Sequence, residues 1–171
     1  IYEFTITTKS EAVIKFYGDK TKKADKGIIY YYSLMEMAET DWEKEIIERN
    51  RKSQYYTQKE IVNIFSQLVH NLALLQKNHI THRDIKPQNI LICKGKYKIG
   101  DFGESRELQR EGLVVQRVRG TELYMSPILF HGLHTRMLQI RHNSYKSDVF
   151  SLAMCILLAA TLTCQSLVDI R

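Results

Sequence analysis

His82-Arg83-Asp84-Ile85-Lys86-Pro87-Gln88-Asn89 joins a segment of helical periodicity to one of strand character. Upstream, Thr57 and Glu60 have the T-x-x-E spacing of a capping box. After them Ile61, Ile64, Phe65, Leu68, Leu72 and Leu75 recur at helical spacing, which predicts a long amphipathic helix to about Lys77. Downstream, NILIC (89–93) and YKIG (97–100) flank the turn-like Lys94-Gly95-Lys96, which predicts two short strands. Asp101-Phe102-Gly103 closes the second strand, 17 residues beyond Asp84.

Further out, EAVIKFY (11–17) and IIYYYSLMEM (28–37) are β-branched and aromatic, and the polar Gly18–Gly27 stretch between them predicts a strand pair with a loose turn. Asp41 stands before WEKEIIERN as an N-cap stands before a short helix. From Asp101 to about Ser147 the pattern predicts no long regular element. Residues 148–163 read as a buried helix, apolar on most sides. The apolar run Val149–Leu162 is interrupted by Ser151 and falls short of the ~20 residues that span a bilayer. The order of strands, helices, hairpin, long loop and buried helix is an α+β pattern, without internal repeats.

A chain of 171 residues suits one domain with a substantial core. Its 44% hydrophobic and 26% charged content argues against disorder. The net charge of +6 is spread along the chain with no arginine-rich arm, so it reads as a solvated basic surface and not as a dedicated nucleic-acid site. Cys93, Cys155 and Cys164 are odd in number and fit no metal spacing. Reduced thiols, and the absence of a secretory signal at the start, suggest an intracellular, cytoplasmic setting. His79 and the His131/His134 pair lack carboxylate or thiolate partners in sequence, which argues against a metal site.

His82–Asn89 resembles the catalytic loop H-R-D-x-K-P-x-N of protein kinases, and Asp101-Phe102-Gly103 resembles their metal-binding D-F-G. Gly120-Thr121-x-x-Tyr124-Met125-Ser126-Pro127 resembles the close of a kinase activation segment, and Asp148-Val149-Phe150-Ser151-Leu152 the start of the buried helix of the large lobe. Six fixed positions at ~5% usage coincide by chance in roughly one window in 10^8. The resemblance covers about residues 12–165 and implies a protein-kinase-like α+β fold. Residues 1–37 would be the last strands of the small β lobe, and 38–171 a helical large lobe lacking its final helices.

The resemblance implies ATP and Mg²⁺ as cofactors and a protein substrate with a Ser or Thr acceptor. Asp84 would take the acceptor proton, Lys86 would approach the γ-phosphate, and Thr121 would bridge the two. Asn89 and Asp101 would hold Mg²⁺, a hard cation that prefers oxygen. Met35-Glu36-Met37 matches the segment joining the lobes, with Met35 limiting the depth of the adenine pocket, backbone groups of Glu36 and Met37 binding adenine, and Leu91 beneath the ring. Gln88 belongs to the same nucleotide-binding set. Asp41 is open between the ribose and its capping role, and His82 reads as a packed support of the loop.

Departures from the pattern matter equally. The glycine-rich loop is absent. Lys15 stands only 19 residues before Met35 when Met35 itself is left out of the count, too close for an intervening helix and strand, so it is not read as the ATP lysine. Glu3 is a weak candidate for its partner. The first residue is Ile1, and both ends are expected to be cut, leaving the isolated segment with little activity. Ser126-Pro127-Ile128 replaces A-P-E, so the activation segment must be anchored otherwise. Residues 128–148 read as a solvated basic loop, with docking of an acidic partner as the second reading. Residues 106–119 contain no Ser, Thr or Tyr, which predicts a kinase not switched on by the usual activation-loop phosphate, with Ser105 and Thr121 as outlying candidates. A non-catalytic kinase-like scaffold or nucleotide sensor is the alternative reading.

Overall fold

In a computed structural model, residues 11–23, 27–108 and 112–170 are described. The chain opens with an antiparallel hairpin, β1 (Phe16–Lys23) against β2 (Ile29–Met35). Then follow β3 (Thr40–Asp41), α1 (Trp42–Arg51), α2 (Gln58–Lys77) and β4 (Ile80–Thr81). The strands β5 (Ile90–Cys93) and β6 (Lys96–Ile99) come next, then β7 (Arg106–Glu107) and β8 (Leu113–Arg117). The chain continues through α3 (Pro127–His134), β9 (Gln139–Asn143), α4 (Ser144–Thr161) and α5 (Gln165–Asp169). One small sheet has the order β3-β5-β6, and two others pair β4 with β7 and β8 with β9.

Local chemistry explains the central elements. Asp41 caps α1, its Oδ1 accepting the Lys44 N–H at 2.9 Å. Thr57 and Glu60 form the capping box of α2 in both directions. The β5–β6 turn places Lys94 and Gly95 at φ 53° and 72°, the pair of positive values that a two-residue hairpin requires. The apolar stripe of α2 buries Ile64, Leu68, Leu72 and Leu75 against α4 and β6. Each such side chain contributes roughly 1.5–3 kcal/mol of transfer free energy, which offsets the entropy of ordering the chain. Trp42 is fully buried, donates from Nε1 to the Tyr56 hydroxyl at 3.2 Å, and meets the Tyr97 ring edge-on at 5.7 Å.

Three expectations change. The first strand lies later than 11–17: β1 takes in the polar residues 18–23, because an exposed strand pairs through its backbone and tolerates Asp, Lys and Thr side chains. Residues 12–14 are instead buried and strung beside β6, with Ile14 N–H donating to Ile99 O at 2.9 Å and Ile99 N–H to Ala12 O at 3.0 Å. The segment 101–147 is not without regular structure. It holds α3 and the β8–β9 ladder, which pairs Leu113 with Asn143 through to Arg117 with Gln139. The buried helix begins at Ser144, four residues earlier than expected, where Asn143 caps it by accepting the Lys146 N–H. Glu3 lies outside the described residues.

Helix α4 anchors the loop before β5 through one side chain. Asp148 is 5% exposed, and its Oδ2 accepts the Thr81 hydroxyl and the His82 N–H, both at 2.8 Å. Its Oδ1 accepts the Arg83 N–H, also at 2.8 Å. Arg83 has φ 72°, a left-handed conformation costly for a side-chain-bearing residue, and the anchored N–H groups of His82 and Arg83 help to hold it there. Asp148→Asn is expected to lower unfolding stability in urea by about 1–3 kcal/mol, since the amide NH2 meets donors where a carboxylate oxygen accepted them. A loss below about 1 kcal/mol would contradict this account.

Strand β9 is also held from below. His142 is buried, and its Nδ1 lies 2.9 Å from Ser147 Oγ. Burial, with the nearby Arg83 charge, holds the His142 pKa below its ordinary value. With the folded value lowered, the unfolded chain takes up the proton first as pH falls. The stabilisation is therefore complete above about 6.5 and is lost as pH falls through that value toward the folded one. Denaturation midpoints measured from pH 7.5 to 5 should fall in the parent and flatten in His142→Gln; parallel curves would exclude His142 as a source.

Candidate active site

The loop between β4 and β5 brings its polar residues to one point. Asp84 Oδ2 pairs with Lys86 Nζ at 2.7 Å, and Oδ1 accepts the Thr121 hydroxyl at 2.8 Å. Lys86 Nζ in turn donates to Thr121 Oγ1 at 2.9 Å, closing a triangle of three side chains from two distant segments. Asn89 Nδ2 donates to the Asp84 carbonyl at 2.8 Å and to its Oδ2 at 3.2 Å. Burial pushes the Asp84 carboxyl up, but the Lys86 and Thr121 hydrogen bonds outweigh it and leave the group below its ordinary value. Asp84 is therefore an ionised acceptor at neutral pH.

Packing supports this triangle. His82 is fully buried, as expected of a structural residue, with Nε2 2.9 Å from Gly100 O and its ring edge-on to Phe102 at 5.1 Å. Asp84 N–H donates to His82 Nδ1 at 3.3 Å, so the ring carries its proton on Nε2 and donates to Gly100. Gly120, at φ 117°, passes so close to the loop that a Cβ there would lie 2.9 Å from the Arg83 carbonyl oxygen. That close approach delivers Thr121 to Asp84. Asp101 also has a left-handed φ of 51° and accepts the Gly103 N–H at 3.2 Å.

Beside this point opens a cleft of about 560 Å³. Met35, Glu36 and Leu91 line it together with Gln88, Asn89 and Asp101, so six of the residues singled out in the sequence share one wall. Asn89 presents its carbonyl oxygen and Asp101 a carboxylate, hard oxygen donors of the kind a Mg²⁺ ion takes alongside phosphates and water. No group of three or more His, Cys, Asp or Glu suited to a metal occurs among the described residues.

Other residues are placed elsewhere. Met37 is 91% exposed and is not part of the cleft lining, Asp41 caps α1 and pairs with Lys44, and Lys86 lies on the Asp84 side. Glu36 has its carboxylate on Lys98 Nζ, 2.8 Å to each oxygen, and on the Lys15 N–H, while its own N–H donates to Lys15 O. Lys15 thus serves Glu36 through its backbone and is not among the residues that line the cleft. Ile14, Phe16, Ser33 and Phe102 also line the cleft. Ile14 and Phe16 lay in an expected strand, but Ile14 is set beside the cleft by its bond to β6 and Phe16 by its pairing with Met35.

The segment after Thr121 has its own anchor where an acidic residue was missed. Ser126 Oγ lies 3.0 Å from Ser147 Oγ, which meets His142, and Ser151 donates to Tyr124 O at 2.8 Å. Two turns of α4 thus hold the segment through hydroxyls.

Comparison with known proteins agrees with this geometry. The Protein kinase domain family matches residues 3–168. The chain is 35% identical to the mouse serine/threonine-protein kinase Nek4 over 67% of its length, and 30% identical to human Nek11 over 85%. It is 32% identical to the probable kinase nek2 of Dictyostelium discoideum over 91%. It spans only 14%, 21% and 35% of these three proteins. Among solved structures, the yeast RNA Pol II CTD kinase CTDK-1 complex superimposes over 95% of this chain and 49% of that one, with a TM-score of 0.72 at 22% identity, a likeness of fold. With the match running almost from end to end, and with the loop, cleft and buried helix placed as described, the chain belongs to the protein kinase domain family.

Proposed function

We propose that the protein containing this chain transfers the γ-phosphate of ATP, with Mg²⁺, to Ser and Thr hydroxyls of protein substrates. The observation that carries the reading is the Asp84–Lys86–Thr121 triangle standing beside a cleft bordered by Asn89 and Asp101. Residues 1–37 are read as the end of the small lobe and 38–171 as the large lobe. Free Cys93, Cys155 and Cys164 favour action inside the cell. No helix among the described residues is long and apolar enough to cross a membrane.

ATP supplies the phosphoryl group and Mg²⁺ neutralises its developing charge. Asn89 and Asp101 would hold the cation, with the amide nitrogen of Asn89 committed to Asp84. Asp84, held ionised, accepts the acceptor hydroxyl's proton and points its oxygen along the line of attack. Lys86 brings a compact positive charge beside the transferring group. Thr121 keeps Asp84 and Lys86 in register, and lines a recess of about 370 Å³ with Val118, Met125 and Leu133, where the acceptor residue can sit.

The test is phosphate incorporation from γ-labelled ATP into matched Ser, Thr and Tyr peptides by protein carrying these residues. Ser and Thr peptides should be labelled, and Asp84→Asn should lower kcat by about 10^2- to 10^4-fold. Tyr preference, or an Asp84→Asn rate equal to the parent's, would overturn the proposal. Gly120→Ala should lower kcat on the order of 10^2-fold by displacing Thr121, while ATP affinity holds; a change confined to ATP affinity would refute the positioning role.

A further inference from the structure

Residues 135–143, expected as part of an open basic loop, supply the partner strand for the segment that carries Thr121. Five residues of β8 pair with five of β9, and the ladder continues past both ends. Ser144 N–H donates to Gly112 O at 2.8 Å, and Val118 N–H to Leu138 O at 3.3 Å. Strand β9 is itself fixed from two sides. His142 meets Ser147 of α4, and Ile140 lies so close to Gly132 of α3 that a Cβ there would be 3.1 Å from both Ile140 and Val118. The last bond of the ladder, at Val118, lies two residues before Gly120.

Arg83 completes the arrangement. Its guanidinium donates to the backbone carbonyls of Glu104 at 3.3 Å and Arg117 at 2.8 Å, tying both ends of the segment to the catalytic loop. Residues 106–119 hold no hydroxyl. The flanking hydroxyls are engaged or enclosed. Ser105 is 1% exposed and donates to His82 O, Thr121 is bound by Asp84 and Lys86, Tyr124 is 4% exposed, and Ser126 is 6% exposed and bonded to Ser147. A phosphate has no acceptor here that would not first have to be pulled out of the structure.

We propose that the β8–β9 ladder, with Arg83 bonded to backbone carbonyls, is a built-in latch that holds Thr121 against Asp84 with no phosphate anywhere on residues 101–126. The connection between α3 and α4 thus supplies in cis, by strand pairing, the order that a phosphate on the segment would otherwise confer. The functional consequence rests on the phosphoryl-transfer reading; the latch itself does not.

Two arms separate these. In the first, phosphatase-treated protein, shown free of phosphate by mass spectrometry, is followed by hydrogen exchange. Residues 113–118 and 139–143 should be protected at least about 10-fold over unstructured backbone, and exchange at the unstructured rate overturns the latch. Ile140→Pro with Arg141→Pro removes the ladder N–H whichever of the two faces β8. It should abolish that protection while α2 and β5 keep theirs; retained protection in β8 overturns the latch. Where α2 also loses protection, the milder cross-strand pair Val115→Gly with Arg141→Gly is judged by the same criterion. In the second arm, the phosphate-free protein should keep kcat within about twofold, and the ladder variant should lose at least about 10-fold. A loss on dephosphorylation that rephosphorylation restores overturns the proposal. Absence of transfer to every acceptor would instead defeat the phosphoryl-transfer reading, and the exchange arm then decides the latch alone.

Discussion

One buried carboxylate carries the geometry of the loop between β4 and β5. Asp148 takes three hydrogen bonds from three successive residues, Thr81, His82 and Arg83, and its two oxygens leave those donors little freedom. A charge so deeply placed is tolerable only because the loop supplies its donors, and the loop's strained Arg83 is tolerable only because the charge is there. Neither half is stable without the other. The consequence is reach: the turn that follows carries Asp84, Lys86 and Asn89, and small errors at Arg83 would be passed on to all three.

The same economy recurs on either side. Lys98 is 3% exposed, and both oxygens of Glu36 close on it, so a buried ion pair joins β6 to the residue just after β2. Burial pushes the Glu36 carboxyl up, but the hydrogen bonds from Lys98 and the Lys15 N–H outweigh it and leave the group below its ordinary value, so it is held ionised. The cleft wall is therefore fixed by electrostatics behind it, and its lining can remain largely apolar. On the opposite side, hydroxyls of Ser126, Ser147 and Ser151 hold the segment after Thr121 where an acid was expected to be missed.

Legibility followed sequence distance. The capping box of α2, the cap of α1 and the β5–β6 turn are settled within a few residues, and the structure places each as the sequence pattern suggested. Asp84, Lys86, Asn89, Asp101 and Thr121 were recognisable as motif positions; the fold joins Asp84 to Lys86, Thr121 and Asn89, and sets Asn89 and Asp101 in the cleft lining. The β8–β9 ladder was not legible. Its strand QIRHN is polar, its partner lies more than twenty residues away, and neither strand declares an alternating face. The start of β1 was misjudged for a related reason, since an exposed strand obeys its partner's backbone more than its own side chains.

The family, the capped helices, the β5–β6 turn and the candidate site residues follow from the amino-acid sequence, because caps, turns and motif residues act through near neighbours and through chemistry that travels with the residue. Tertiary structure alone decided which of those side chains meet. Thr121 reaches Asp84 only because Gly120 can pass the Arg83 carbonyl, Glu36 has its carboxylate on Lys98, and residues 135–143 become a strand only against β8. Those are contacts between segments far apart in the chain. Their energies depend on burial and register, and both come into being only when the chain has folded.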